Sequence, residues 1–347
     1  MKKIIFGVET SCDESSLALV EATGGFASPK FKVLAHELAS QVKVHRPFGG
    51  VVPNLAKREH EKNLPILYKR IFGSKEQKLW QKIDAIAVTV GPGLEPALWA
   101  GITFAKELGE KYEKPLIGAN HLEGHLYSFL LPNKKAGNVN PRIALPAIAL
   151  IVSGGHTILL HVKSLKEWEK LGETRDDAVG EAFDKVARLL GLPYPGGPAL
   201  EKLALSLPKG RKPSINFPRP MIGTKSFDFS FSGLKTAVLY YLRDNPKTSK
   251  SDVAASFQKA AVDVLIKKAT DAATMYKATS IILCGGVAAN KFLRKELAER
   301  ARKLKKKFFV PDFIYNTDNA AMIGEAGYFA MLRKKKYKLR AQGSLNI

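Results

Sequence analysis

One plan opens both halves of this 347-residue chain. Residues 4–8 read as an apolar strand, 9–15 as a small polar turn, and 16–21 as a second strand in which Leu17 and Leu19 alternate with Ala18 and Val20. Residues 147–152, the turn Ser153-Gly154-Gly155-His156 and residues 157–162 repeat it. Alternation around a small turn predicts a β-hairpin at each place, and a shared opening indicates duplication. Duplicated α/β halves of this kind suit a nucleotide cleft between them. Backbone N–H groups in a small-residue turn can approach phosphate oxygens closely where no bulky Cβ intervenes.

The rest of the first half continues with a strand at 32–38, a helix at 53–72 that Pro65 should kink or shift, and a strand at 84–90. The turn Gly91-Pro92-Gly93, a helix near 95–112, a strand at 116–120 and a helix from His121 follow. Residues 132–142, poor in apolar side chains, read as a loop. The expected organisation is therefore a lobe over 1–131, a loop over 132–142 and a second lobe over 143–347, whose terminal helix can pack back on the first. In the second lobe, helices are expected at 177–190, 197–206, 231–243, 251–277, 290–305 and from Asp318, with strands at 280–284 and 308–310. Residues 208–226, rich in Pro, Gly and Lys, read as an exposed loop.

The charge is unusual: 55 Lys+Arg against 32 Asp+Glu, a formal +23. Two runs, 300–307 and 333–340, carry six basic and no acidic residues each. A polyanionic partner such as nucleic acid is one reading; a Lys-rich surface for solubility or heat is the other. No apolar window is long enough to span a membrane, and the run after Lys2 and Lys3 is too short for a signal-peptide core. Two distant cysteines, Cys12 and Cys284, fit neither a disulfide framework nor a thiolate zinc site, so a cytoplasmic protein is expected.

Several groupings can carry chemistry. His121-Leu122-Glu123-Gly124-His125 sets two imidazoles four residues apart on one helical face, as a metal ion needs, although helix-surface histidines with unrelated hydrogen bonds fit the spacing too. The metalloprotease signature is absent, because Leu122 stands where the catalytic Glu would follow the first His. Asp318 is the best third ligand, or else a plain helix cap. Glu9, Asp13 and Glu14 crowd one turn, where like charges raise one another's pKa unless a cation or donors lie among them; a solvated acidic turn is the alternative. The strand into Gly285-Gly286 and then Asn290 suits a ring or phosphate at a helix N-terminus. Asp184, beside the apolar stripe of its helix, suits a sugar hydroxyl or an ordinary pair with Arg188.

These stretches resemble one family throughout, in order: Gly7 to Glu14, Gly91-Pro92-Gly93, Asn120 to His125, Val152 to Thr157, Gly180 to Lys185, Tyr194 to Pro198, Phe231 to Thr236, Gly285 to Asn290 and Thr317 to Met322. The chain resembles the TsaD family, also called Gcp or O-sialoglycoprotein endopeptidase-like, the tRNA N6-adenosine threonylcarbamoyltransferases, in its bacterial and organellar branch. The resemblance implies an actin/Hsp70/sugar-kinase-like (ASKHA) fold, α/β and duplicated, with two lobes and an interlobe cleft. It implies His121, His125 and Asp318 as ligands of one Fe2+ per subunit, with Zn2+ as a substitute. Ile151, Val152, Ser153, Gly154, Gly155, Asp184, Gly197, Glu201 and Asn290 are implied to hold the nucleotide-like substrate, and Asp13 to be needed for activity. No chemistry attaches to Phe231 to Thr236.

The implied reaction moves the threonylcarbamoyl group from threonylcarbamoyl-AMP to N6 of the adenosine 3′ to the anticodon in tRNAs reading ANN codons, giving t6A and AMP. TsaB-like and TsaE-like proteins, or a homodimer, are the implied assemblies, and the two basic runs are expected on or near the tRNA backbone. The alternatives are an ATPase or kinase of the same fold, against which two histidines and one carboxylate argue because they suit iron or zinc better than Mg2+, and a non-catalytic scaffold paralogue, which would lack the ligand set.

Overall fold

The computed structural model describes residues 2–133, 143–208 and 210–347. The loop expected over 132–142 therefore lies outside the described residues beyond Asn133. In chain order the first elements are β1 (Lys3–Glu9), β2 (Glu14–Thr23), β3 (Lys30–Ser40), α1 (Val42–His45), α2 (Pro53–Phe72), α3 (Glu76–Trp80), β4 (Ala85–Gly91), α4 (Glu95–Lys111), β5 (Leu116–Asn120) and α5 (His121–Tyr127). There follow β6 (Ala147–Val152), β7 (Thr157–Ser164), β8 (Glu167–Glu173), α6 (Val179–Leu189), α7 (Gly196–Leu205), α8 (Ser232–Asp244) and α9 (Lys250–Met275). Then come β9 (Ser280–Cys284), α10 (Lys291–Lys303), β10 (Lys307–Phe309) and α11 (Ala320–Arg333).

The duplication is visible in the sheets. Among the described residues each unit has a five-stranded sheet, ordered β3-β2-β1-β4-β5 in one and β8-β7-β6-β9-β10 in the other. Each is an antiparallel three-strand meander whose first strand continues into two parallel neighbours. The central strands are buried on both faces, as continuous apolar runs require.

The units do not divide the chain at one point. Met1–Arg142 and Pro311–Ile347 make one, and Ile143–Val310 the other. The second lobe, expected to run to 347, ends at Val310, because α11 is buried from Ala320 to Ala330 against the first unit's sheet. Gly7 on β1 permits that approach: a Cβ there would stand 2.2 Å from the Ala320 carbonyl oxygen.

Other differences have local causes. Helix α2 runs continuously through Pro65, whose ring is exposed, so the carbonyl that loses its bond faces water. Strand β8 does not stand out in the sequence because Glu-Trp-Glu-Lys-Leu-Gly-Glu is a half-exposed edge strand with almost no apolar period. The loop over 210–226 has no helix or strand, but it is not simply exposed. Phe217 is buried, Asp252 accepts from Ser214 N at 2.9 Å, and Asp263 holds Arg219 at 2.9 Å, pinning the loop to α9.

Candidate metal centre

Helix α5 starts directly at the end of β5. Asn120 ends the strand and caps the helix, its Oδ1 accepting from Leu122 N at 2.8 Å and Glu123 N at 3.3 Å. This puts His121 and His125 one turn apart in the interior, 5% and 0% exposed, which removes the surface-histidine reading. The capping role at α11 falls to Asn319, whose Oδ1 accepts from Met322 N at 3.0 Å. Asp318 instead places Oδ1 3.4 Å from His121 Nε2 and 3.2 Å from His125 Nε2.

Those spacings are what a metal needs. Donors bound at about 2.1 Å to one tetrahedral ion stand about 3.4 Å apart. One donor atom from each of the three residues lies within 4.8 Å of the others. Both ring nitrogens of His125 are buried; Nε2 faces the Asp318 carboxylate and Nδ1 has no hydrogen-bond partner among the described residues, so a metal ion between Nε2 and Asp318 would fit the donors. His121 is oriented from behind: its Nδ1 lies 3.3 Å from Glu9 Oε2 and 3.2 Å from Ser11 Oγ. Thr89 Oγ1 donates to the same Glu9 oxygen at 2.6 Å. A proton on Nδ1 donated to Glu9 leaves the Nε2 lone pair toward Asp318. Two imidazoles and one carboxylate suit iron(II) or zinc.

The carboxylates around the cluster favour a proton on His121, which a metal ion would have to displace. Burial pulls the His121 imidazole down, but Asp318 and Glu9 outweigh it and hold the group at about 9. Burial lowers His125 despite Asp318. In the β1–β2 turn, burial first and then Asp13, Asp318 and Glu9 push Glu14 well up; Glu9 and Asp13 are buried and Glu14 half-buried, so the acidic turn is not a fully solvated one. Cys12, in the same turn, is raised by burial and then by Asp13 and Asp318, which keeps its thiol protonated and a poor nucleophile. Asp13 is 7% exposed, and its carbonyl accepts from Gln41 N at 2.9 Å.

The other expected residues lie in the second unit. Ile151 and Val152 are core residues at the end of β6, offering a ligand only their backbone. Ser153 closes the β6–β7 turn, its N donating to His156 O at 2.8 Å. A Cβ on Gly154, Gly155, Gly197 or Gly286 would meet nothing within 4 Å, and none of the four has a positive φ. Neither crowding nor backbone conformation within the chain accounts for these glycines; close approach of a ligand would. The polar candidates have internal partners. Asp184 Oδ1 accepts from Gly196 N at 2.7 Å and Gly197 N at 3.3 Å, Glu201 from Lys291 N at 2.6 Å, and Asn290 caps α10 while donating to Gln258 at 2.8 Å. Asp184 and Asn290 thus shape turns a ligand can use, and Glu201 braces the start of α10.

Two features escaped sequence reasoning. The stretch Phe231 to Thr236 begins α8, which Asp176 caps: its carboxylate accepts from Phe231 N at 2.8 Å and Ser232 N at 3.2 Å, while Lys235 pairs with Asp177 at 3.3 Å. And the basic run 333–340 does not all face outward, since Arg333 is drawn in to bond Glu123.

Solved structures share the fold. A HypF of T. kodakarensis superposes with TM-score 0.56 at 15% identity, over 95% of this chain and 48% of that one. A full-length HypF in a phosphate- and nucleotide-bound form gives 0.58 at 13%, over 98% and 56%. The fold is thus a duplicated α/β one of the actin/Hsp70/sugar-kinase kind, with two buried histidines and a half-buried aspartate gathered in its first unit. Residues 32–325 match the family described as TsaD, tRNA N6-adenosine threonylcarbamoyltransferase. A relative of that name from Thermosipho melanesiensis is 46% identical over 344 residues, 99% of this chain and 100% of its own. One from Moorella thermoacetica is 47% identical over 335 residues, covering 95% and 92%. The chain belongs to this family of transferases.

Proposed function

We propose that the protein transfers the threonylcarbamoyl group of threonylcarbamoyl-AMP to N6 of the adenosine 3′ to the anticodon in tRNAs reading ANN codons, with release of AMP. The family supports the transfer, and the observation that carries the chemistry is the convergence of His121 Nε2, His125 Nε2 and Asp318 Oδ1. The donor is a mixed anhydride whose leaving group is AMP, so no nucleophilic Ser or Cys is required, in keeping with a protonated Cys12. An iron(II), or zinc(II) in its place, held by His121, His125 and Asp318 would supply a Lewis acid for the carbamoyl and phosphate oxygens.

The remaining tasks fall to the chain. The Ser153-Gly154-Gly155 turn and Gly197 leave backbone open to the nucleotide, with Asp184, Glu201 and Asn290 holding the turns around it. N6 attacks the carbamoyl carbon, the bond to the AMP phosphate oxygen breaks, and Asp13 takes the N6 proton directly or through water. Asp13→Asn should keep metal and lose most transfer activity; full activity in that variant removes the base assignment. TsaB-like and TsaE-like partners complete the assembly.

The decisive assay incubates the protein with unmodified tRNA, threonine, bicarbonate, ATP and a separate threonylcarbamoyl-AMP synthase, with and without those partners. Nucleosides are then read by mass spectrometry. Formation of t6A is the expected result. Accumulation of threonylcarbamoyl-AMP by the synthase with no modified adenosine, with or without the partners, overturns the reading.

A further inference from the structure

The histidine helix is held from the side opposite its ligands. His121 and His125 share one face of α5, and Glu123 stands about 200° round the axis from His121. Glu123 is fully buried. Its Oε1 accepts from Lys335 Nζ at 3.0 Å and Tyr337 Oη at 2.6 Å, and its Oε2 from the Arg333 guanidinium, which also donates to Tyr127 Oη at 3.2 Å. The same stretch then crosses the ends of β4 and β5. Gln342 N donates to Val90 O at 2.8 Å, Gly93 N to Gly343 O at 3.2 Å, and Asn120 Nδ2 to Asn346 O at 2.8 Å. Tyr337, Leu339, Ala341 and Leu345 pack on the first unit's core along the way.

We propose that residues 333–346 are a strap that sets the rotation of α5, with Glu123 and Asn120 as positioning residues for the two histidines. The proposal rests on the reading that His121, His125 and Asp318 hold a metal ion. The reason is mechanical. A histidine Nε2 lies about 6 Å from its helix axis, so a rotation of about 2° moves it about 0.2 Å, the tolerance on a metal–ligand distance. A seven-residue helix has too few internal bonds to resist that alone. His121 has Glu9 and Ser11 behind it, whereas the polar and aromatic contacts of the His125 ring are with its co-donors, Asp318 Oδ1 at 3.2 Å and the His121 ring at 4.6 Å between centroids, so the helix carries more of its aim. Asn120 joins both ends of the device, capping α5 with Oδ1 and catching the strap with Nδ2.

Removing the Glu123 charge would strand Arg333, and a loss of folding would teach nothing. Milder variants avoid this. Tyr337→Phe deletes one donor and no charge, and Asn120→Thr keeps a capping oxygen but loses the reach to Asn346. The full chain, free of metal, is titrated with cobalt(II) and followed by its visible absorption. Both variants should melt with the parent when metal-free, bind cobalt(II) about threefold to tenfold more weakly, and show a shifted band at saturation, which a merely structural role would not produce. Parental affinity and band position in both variants overturn the strap. Asp318→Ala is the separate check: lost cobalt(II) binding upholds the underlying metal reading, and retained binding removes that reading and the strap together.

Discussion

Glu325 is fully buried on α11, and neither carboxylate oxygen has a hydrogen-bond partner among the described residues. Burial pushes its pKa well up and favours the neutral carboxyl. The sign follows from linkage. Above the ordinary carboxylate range the unfolded chain releases a proton that the folded chain retains, so stability falls as pH rises, by up to about 1.4 kcal/mol per unit, until the raised value is passed. Glu325→Gln should match the parent's melting temperature near pH 4 and exceed it increasingly as pH rises above the ordinary carboxylate range; parallel curves would refute this. At the same scale, Asp318 shows what a sequence can carry. Its neighbour Asn319 is an equally good cap, and only the position of α11 on β1 decides which of the two turns toward the histidines. That depends on packing between residues some three hundred positions apart, which no local pattern encodes.

Among the elements, the two hairpins were legible because their strands are apolar and their turns small, whereas β8 and the short helices α1 and α3 lack any period to read. The turns of the second unit give a sharp contrast between two glycine roles. Gly155→Ala meets open space at ordinary φ, so folding should be unchanged while AMP binding, measured calorimetrically, weakens. Gly285→Ala faces a φ of +92° and the Val152 carbonyl 2.4 Å away, and should lower stability by at least about 1–2 kcal/mol. The cap on α8 adds a pH dependence. Burial tends to raise Asp176, but bonds from Ser230, Ser232 and two backbone amides outweigh it and hold it low. Its contribution, about 1 kcal/mol as for other caps, is present above the unfolded carboxylate range and lost as pH falls through the lowered value. Asp176→Asn should therefore cost stability at pH 6, with the cost shrinking as pH falls through the lowered value, read by denaturant melts.

Over the whole molecule, the formal charge of +23 divides in a way that composition conceals. The run at 300–307 is largely exposed, while Arg333 in the other run is committed to Glu123. If tRNA is gripped by the first run, changing Lys303, Lys305 and Lys307 to Gln should reduce the slope of log affinity against log salt by up to about 0.9 per lost phosphate contact. An unchanged slope returns those lysines to solubility. Duplication was legible from the hairpins, and so was the return of the terminal helix to the first lobe, but the boundary at Val310 was not, because α11 looks like any apolar helix until its sheet is known. That discontinuity has a consequence in time. On a ribosome adding about 5–20 residues per second, His121 and His125 emerge roughly 10–40 s before Asp318, with the whole of the second unit translated in between. A nascent chain can finish that unit while its three-residue donor set still lacks Asp318, so on the proposed metal reading the full set would exist only in a chain read through to α11.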